Sequence, residues 1–390
     1  MTLPHRKIAC LAAAVTALLG SAGAGVLPDD RFDALYHSYS GGGIDIKGPS
    51  ILVRKKFGEH VSAAANYYTD NITGHVDTVS GASVDAVSGA STYHEQRKQY
   101  SLSTDVLQGK TTYSAGYINS DESDFKSKTA FITVSEDMFG DLTTISFGAV
   151  RGWDKNGKSG NAITGGDIDR RNWQLSLTQI LSRNLLLGLN YETSESEGFL
   201  NNPYRKVRFR FDQADCGCGY DTQNEVYPHT RTGNAGSVQL KYHLPGRGAL
   251  DGSYRYYGDT WGIRAHTGQL GVTQPVFHNW LLDGHVRYYR QTRANFYSDL
   301  FPFESAQNFM ARDRELATFK SLTLGVGASW QFHVPHMNFL QKNSLNLRVD
   351  RLRINYDDYR NLQVKGLAAG TEPLYTLDAT VFQVFYSGWF

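Results

Sequence analysis

Nine ionisable side chains, Lys241, His243, Asp251, Arg255, Asp283, His285, Arg287, Arg348 and Asp350, fall on one parity of segments whose other parity is apolar. Both signs of charge therefore interleave on a single face. Groups arranged this way neutralise one another across a gap and close it, or line a polar pore, or cradle a charged partner. His243, His285 and His333 share that parity and offer metal-ligating nitrogens, although such residues more often belong to a mixed-charge lining. Cys216-Gly217-Cys218 lies in a long polar stretch between Asp215 and Gly219. Two thiols one residue apart form either a small strained disulfide ring that stiffens a loop, or a redox couple or soft-metal clip. There is no C-x-x-C-H haem attachment, no G-x-S-x-G elbow and no spaced Ser/His/Asp set, so the reading carries no cofactor and no enzymatic activity.

The elements that must position these groups are short strands. Leu322, Leu324, Val326, Ala328, Trp330 and Phe332 alternate with Thr323, Gly325, Gly327, Ser329, Gln331 and His333. Val238, Leu240, Tyr242 and Leu244 alternate with Gln239, Lys241 and His243, and Leu282, Gly284, Val286 and Tyr288 with Asp283, His285 and Arg287. One face suits lipid and the other water, which is the pattern of a transmembrane barrel strand. An Arg or Lys facing lipid at mid-depth costs about 2–4 kcal/mol, so the charged parity is assigned to the lumen.

Tight turns are expected at Gly58-Glu59, Gln108-Gly109, Asp137 to Gly140, Ser182 to Asn184, Pro245 to Gly248, Pro275 to Asn279 and Pro335 to Lys342. Polar connections are expected at 41–50, 70–92, 119–125, 154–169, 195–235, 258–262, 292–316 and 358–374. Seven turns and eight loops join about 16 strands, within 14–18, as an all-β, antiparallel, up-and-down transmembrane barrel. Phe382, Val384, Tyr386, Gly388 and Phe390 form one face of a strand that ends on the last residue, which resembles the signal read by the barrel assembly machinery. Leu377, Ala379 and Val381 fall on the opposite face and suggest a bulge, or a strand that leaves the membrane there.

Composition agrees with this architecture. The 390 residues carry 39 basic and 38 acidic side chains, a balance that excludes nucleic acid as the main partner. With 39 Gly, 10 Pro and 23 Tyr, strands and turns are favoured over helices. His5-Arg6-Lys7, an apolar run from Ile8 to Leu19 and Ala22-Gly23-Ala24 predict a secretory signal over 1–24, with one barrel domain over 25–390. So little chain before the first strand leaves no room for a plug domain. Tyr204 to Phe211 reads as a strand extending beyond the membrane, or as a basic patch for lipopolysaccharide phosphates or an acidic partner. The repeated VSGAS at 79–83 and 87–91 reads as a surface loop.

The strings YHSYSGGGIDIKGPSILVRKKFG (36–58), NYYTD (66–70), DMFGDLTTISFG (137–148), RGWD (151–154), EVYPHTRTGNA (225–235) and GSYRYYGDTWGI (252–263) resemble the domain-of-unknown-function 3570 family of bacterial outer-membrane proteins. The resemblance spans the chain after the signal. It implies a barrel in the outer membrane of a Gram-negative bacterium, found among exported redox systems with small lipoproteins. The expected partners are then outer-membrane lipid and lipopolysaccharide, the barrel assembly machinery, and a small lipoprotein or exported redox protein. The expected role is a conduit or docking scaffold in an exported redox or transport system. A general diffusion porin is the alternative and an outer-membrane hydrolase the third option.

Overall fold

A computed structural model describes residues 25–76, 91–158, 164–211, 219–334, 339–364 and 366–390. The expected signal segment, the VSGAS repeat up to residue 90 and the Cys216/Cys218 pair lie outside the described residues. The strands are β1 (Arg31–Gly41), β2 (Ile44–Phe57), β3 (Val61–Val76), β4 (Ser91–Gln108), β5 (Thr111–Asp121), β6 (Phe125–Met138), β7 (Thr143–Lys158), β8 (Thr164–Ser182) and β9 (Leu185–Gly198). After them come β10 (Lys206–Arg210), β11 (Tyr220–Asn224), β12 (Thr230–His243), β13 (Ala249–Asp259), β14 (Arg264–Val276), β15 (Trp280–Gln291), β16 (Phe319–Phe332), β17 (Lys342–Arg360) and β18 (Leu374–Trp389). Sixteen of them close into one antiparallel barrel in chain order, with β1 paired to β18, and β10 and β11 form a separate hairpin between β9 and β12.

Register fixes which side chains share a face. On β16, Leu322, Leu324, Val326 and Trp330 are exposed, as are Val349 opposite Val326 and Leu347 opposite Ala328 on β17. That parity faces outward around the whole barrel, through Leu282, Val286 and Tyr288 on β15, Leu270 and Val272 on β14, Tyr254 on β13, and Val238 and Leu240 on β12. Ile51, Tyr100, Leu102, Tyr117, Ile132, Phe147 and Leu175 continue it over β2 to β8. Along β15 the outward run from Trp280 to Tyr288 has the length of a membrane-crossing strand. Phe57, Phe139, Phe277, Trp280, Trp330 and Phe339 are exposed at the turn end, and Trp280 stacks on Trp330 at 6.0 Å. Such an aromatic girdle marks a membrane interface.

The expected tight turns fall between consecutive strands, residues 335–338 of the last lying outside the described residues. The expected polar connection at 41–50 is instead a two-residue turn, because Gly42 (φ 59°) and Gly43 (φ 73°) both take the left-handed conformation that a primed hairpin turn requires. Ile44 onward is strand. The expected bulge near residue 381 is absent as well: β18 keeps register with β17 from Trp389 to Thr376, and the irregularity lies between Asn355 and Arg360. Leu377 and Ala379 are inward residues, buried at 2% and 0% exposure. Lys206 to Arg210 does not extend a barrel strand but pairs with β11, and Arg208 is wholly buried, so no basic surface patch is built there.

Candidate functional site

The inner wall of β12–β17 is built on missing side chains. On β16, a Cβ at Gly325 would lie 2.0 Å from His285 Cε1 and 2.1 Å from Asp350 Oδ1, and one at Gly327 would lie 2.2 Å from Asp283 Oδ1. With glycine at both places, β15 and β17 reach each other over the strand between them. Arg348 Nη2 donates to His285 Nδ1 at 3.0 Å and lies 3.5 Å from Asp283 Oδ2, while its Nε is 3.6 Å from Asp350 Oδ1. An accepting Nδ1 leaves the imidazole proton on Nε2, which faces Asp350 Oδ1 at 3.7 Å. The four groups form a ladder in which Arg348 stands between two carboxylates and His285 joins it to Asp350.

The other residues of that parity extend it. Arg255 Nη2 bonds Glu192 Oε2 at 3.2 Å, Lys241 opposes Asp251 in register, and Arg287 lies over Tyr289 at 5.6 Å. Register thus puts Lys241, His243, Asp251, Arg255, Asp283, His285, Arg287, Arg348 and Asp350 on one face, opposite the exposed apolar one. They do not converge on one point. His243 ends β12, and His333 lies just past the end of β16 rather than on its inner face, so neither joins His285. At the turn end a cavity of about 340 Å³ lined by Arg31, Asp33, Gln331, Lys342, Ser344 and Asn346 opens beneath the ladder.

The inner wall of β1–β8 holds ion pairs that alternation alone did not single out. His37 Nε2 meets Asp70 Oδ1 at 2.6 Å, Arg97 Nη2 donates to Asp70 Oδ2 at 2.5 Å, and Arg54 Nη1 donates to Asp105 Oδ2 at 2.5 Å. Arg170 grips Asp154 through both Nε and Nη2. Among the described residues, one group of three carboxylates, Glu95, Glu122 and Asp124, is close enough to share an ion, with ligand atoms within 4.8 Å of one another. Glu95 also accepts from the Ser123 N–H and hydroxyl, at 3.0 and 2.6 Å, which accounts for its orientation without a metal.

Above the ladder the inner face turns apolar. Tyr257, Phe319, Ile354 and Tyr375 pack against Tyr227, Trp261, Phe296, Tyr297 and Leu316 from the loops, so the loops after β9, β13 and β15 fold into the mouth of the barrel. Tyr227 and Phe296 both contact Trp261, at 5.6 and 5.2 Å between ring centres. A buried ionic knot ties these loops to the one after β17. Arg208 donates to Glu372 Oε1 at 2.5 Å and to Asp299, whose Oδ1 also accepts from Arg312 Nε at 3.1 Å. Burial pulls the Asp299 carboxyl up, yet Arg312 and Arg208 outweigh it and hold it below the usual range. Glu225 accepts from Tyr227 Oη at 2.6 Å and the Arg312 N–H at 2.7 Å. Burial, and then the nearby Asp313, push its pKa up to about 7 against the pull of Arg205.

No curated protein sequence matches the chain. Among solved structures it resembles a bacterial polysaccharide outer membrane secretin at TM-score 0.50 and 8% identity, over 93% of this chain and 99% of that one. It also resembles a Pseudomonas aeruginosa FadL homologue at TM-score 0.45 and 9% identity, over 93% and 91%. The first likeness shows the outer-membrane barrel fold alone. A family model described as a protein of unknown function, DUF3570, matches residues 160–387, more than half of the chain, and the protein belongs to that family.

Proposed function

We propose that this barrel resides in the outer membrane of a Gram-negative bacterium as a conduit for small polar or charged cargo, closed at its loop end by the folded loops. One observation carries the reading: a part-exposed track of both signs, Asn346, Arg348 and Asp350 on β17 facing Asp283 and His285 on β15, rises from the turn-end cavity and ends under an aromatic cap. A lumen serving only as structural filling needs no accessible charges, whereas a conduit needs both a polar path and a controlled mouth. The cap disfavours the general diffusion porin, which keeps its mouth open. The turn-end cavity, edged by Arg31, Asp33 and Lys342, is where a small lipoprotein or exported redox protein would dock if the barrel also serves as a scaffold.

Planar-bilayer recording on the purified full-length barrel tests this. Wild type should conduct in small, infrequent steps, and Arg208→Ala, which leaves Asp299 and Glu372 without their shared cation, should raise the open fraction. A large constant conductance in wild type favours the diffusion porin. Silence in both proteins overturns the conduit. Phospholipid hydrolysis by the purified barrel would redirect the reading to an enzyme.

A further inference from the structure

The outer wall at the loop end is uneven in charge. On the outward parity of four consecutive strands stand Arg264 and His266 (β14), Arg290 (β15), Lys320 (β16), and Arg351 and Arg353 (β17), all exposed. Register puts His266 opposite Arg290 and Arg290 directly opposite Lys320, while Arg353 and Arg351 oppose Leu322 and Leu324 of the lipid face. Like charges facing each other across neighbouring strands destabilise a sheet unless something anionic lies between them. The protein supplies little of it. Asp357 is 3.8 Å from Lys320 and Asp378 is 3.6 Å from Arg351, but among the described residues no carboxylate comes within ion-pairing distance of Arg264, Arg290 or Arg353. At the corresponding end of β6–β9 three outward cations are matched, Arg151 with Asp169 at 2.6 Å, Lys126 with Asp121 at 3.2 Å and Arg171 with Asp169 at 3.4 Å, while Lys128 faces no like charge but lies opposite Asn119 and Trp153.

A second feature lies immediately below. A groove of about 480 Å³ on the lipid face is lined by Val238, Leu240, Tyr254, Leu270, Val286 and Tyr288, with Gly252 and Gly268 as its floor. Nothing approaches within 4 Å of where a Gly268 Cβ would stand, so the floor is open outward. Its upper rim meets the basic row: Tyr254 Oη is 2.7 Å from His266 Nδ1, and Tyr288 precedes Arg290 by one outward position. Cations for a phosphorylated headgroup on β14–β17 meet an amphipathic aromatic rim and an apolar slot for a chain on β12–β15, the two overlapping on β14 and β15.

We infer that β12–β17 carry a seat for lipopolysaccharide, with Arg264, Arg290, Lys320 and Arg353 binding the phosphates of its lipid A part and the groove taking an acyl chain. The leaflet on the loop side of an outer-membrane barrel is the one that presents this lipid. The seat depends on the outer-membrane placement proposed above but not on conduction, so a barrel that is silent in bilayers yet holds lipid A leaves it standing.

The test uses the full-length barrel in detergent, scored by native mass spectrometry for retention of bisphosphorylated lipid A, dephosphorylated lipid A and phosphatidylglycerol. Wild type should retain the bisphosphorylated form, and the triple variant Arg264→Gln, Arg290→Gln, Arg353→Gln should retain roughly tenfold less, while Arg151→Gln matches wild type. Gly268→Leu, which fills the groove and leaves the cations in place, should also lower retention. If the triple variant does not fold, Arg290→Gln alone against Arg151→Gln makes the same comparison with a smaller drop. Equal retention of all three lipids by wild type, or equal losses from the β14–β17 and Arg151 variants, overturns the seat.

Discussion

On the β1–β8 inner wall the pairs Arg54–Asp105, Arg97–Asp70 and Arg170–Asp154 have side chains no more than 13% exposed. On the β12–β17 wall Arg255–Glu192, Arg348–Asp283 and Arg348–Asp350 lie between 20% and 43%. Residue types and depth are similar, and what differs is the neighbouring inner residues. Phe131 packs on Ile118 and Val150 along the first wall, and Tyr68 stacks on His37 at 5.1 Å, so bulky groups roof the ions. Thr323, Gly325, Gly327 and Ser329 leave the second wall bare. The lesson is that a charge in a barrel becomes structural or functional according to the size of the side chains beside it. Shielded pairs are costly to break, and solvated pairs are cheap to break yet available to cargo.

The sharpest way to break the comparison is to remove one arginine from each wall. Arg170→Leu leaves the fully buried Asp154 carboxylate without its bidentate partner and should lower stability by about 3–5 kcal/mol. Arg348→Leu should cost under about 1 kcal/mol. Urea midpoints of the two variants measured by tryptophan fluorescence decide the matter, and equal losses would erase the distinction between the walls.

The cap extends the shielded regime outside the membrane, where pH probes it. Glu225 has an ordinary value of 4.5 and a folded value of about 7, so the folded cap binds the proton more tightly than the unfolded chain does. Its contribution is therefore fully present below pH 4.5 and is lost as pH rises through about 7, roughly 3 kcal/mol over that window. Protease cleavage of the loops should accelerate across it, and Glu225→Gln should flatten the rise. An unchanged pH profile in the variant would remove Glu225 from the account.

The barrel was legible in the sequence because lipid imposes a period of two: the outward runs of β12, β15 and β16 could be followed residue by residue. The inner face of β15 and β17 was legible for the same reason. Failures came where another constraint replaced lipid. Gly41-Gly42-Gly43 with Pro49 looks like loop, yet two left-handed glycines make a tight hairpin and Pro49 stands on the outward face opposite Tyr36. Leu377 and Ala379 imitate a phase break because they are buried inward against Gly42 and Gly41 at the end of β1. Arg208, Asp299, Arg312 and Glu372 meet from three loops with no common period, so nothing in their spacing announces the knot. The shielded pairs of β1–β8 share a parity across neighbouring strands (Asp70–Arg97, Asp154–Arg170) or alternate ones (Arg54–Asp105), a signal visible only once the register is known.

A gentler change tests whether the solvated wall depends on bareness. Gly325→Val would put methyl groups where His285 and Asp350 now approach, driving the two apart at about 1–3 kcal/mol of overpacking strain. If access rather than charge alone makes this wall functional, ion selectivity in bilayers should shift even though every ionisable residue remains.

The smallest effect on stability bears most on function. Arg348 touches Asp283, His285 and Asp350 together, so Arg348→Leu removes the cation from the centre of the ladder and leaves two carboxylates facing water. Solvent screens them, and the fold tolerates the loss. A cation crossing the lumen would then meet two carboxylates without the competing guanidinium, so reversal potentials under a salt gradient should move toward cation preference while the urea midpoint stays close to wild type. The same substitution on the shielded wall should do the opposite, with a large loss of stability and little change in selectivity among the barrels that still fold. If both variants shift selectivity equally, the ions of the two walls sense the same space, and the distinction in exposure has no functional meaning.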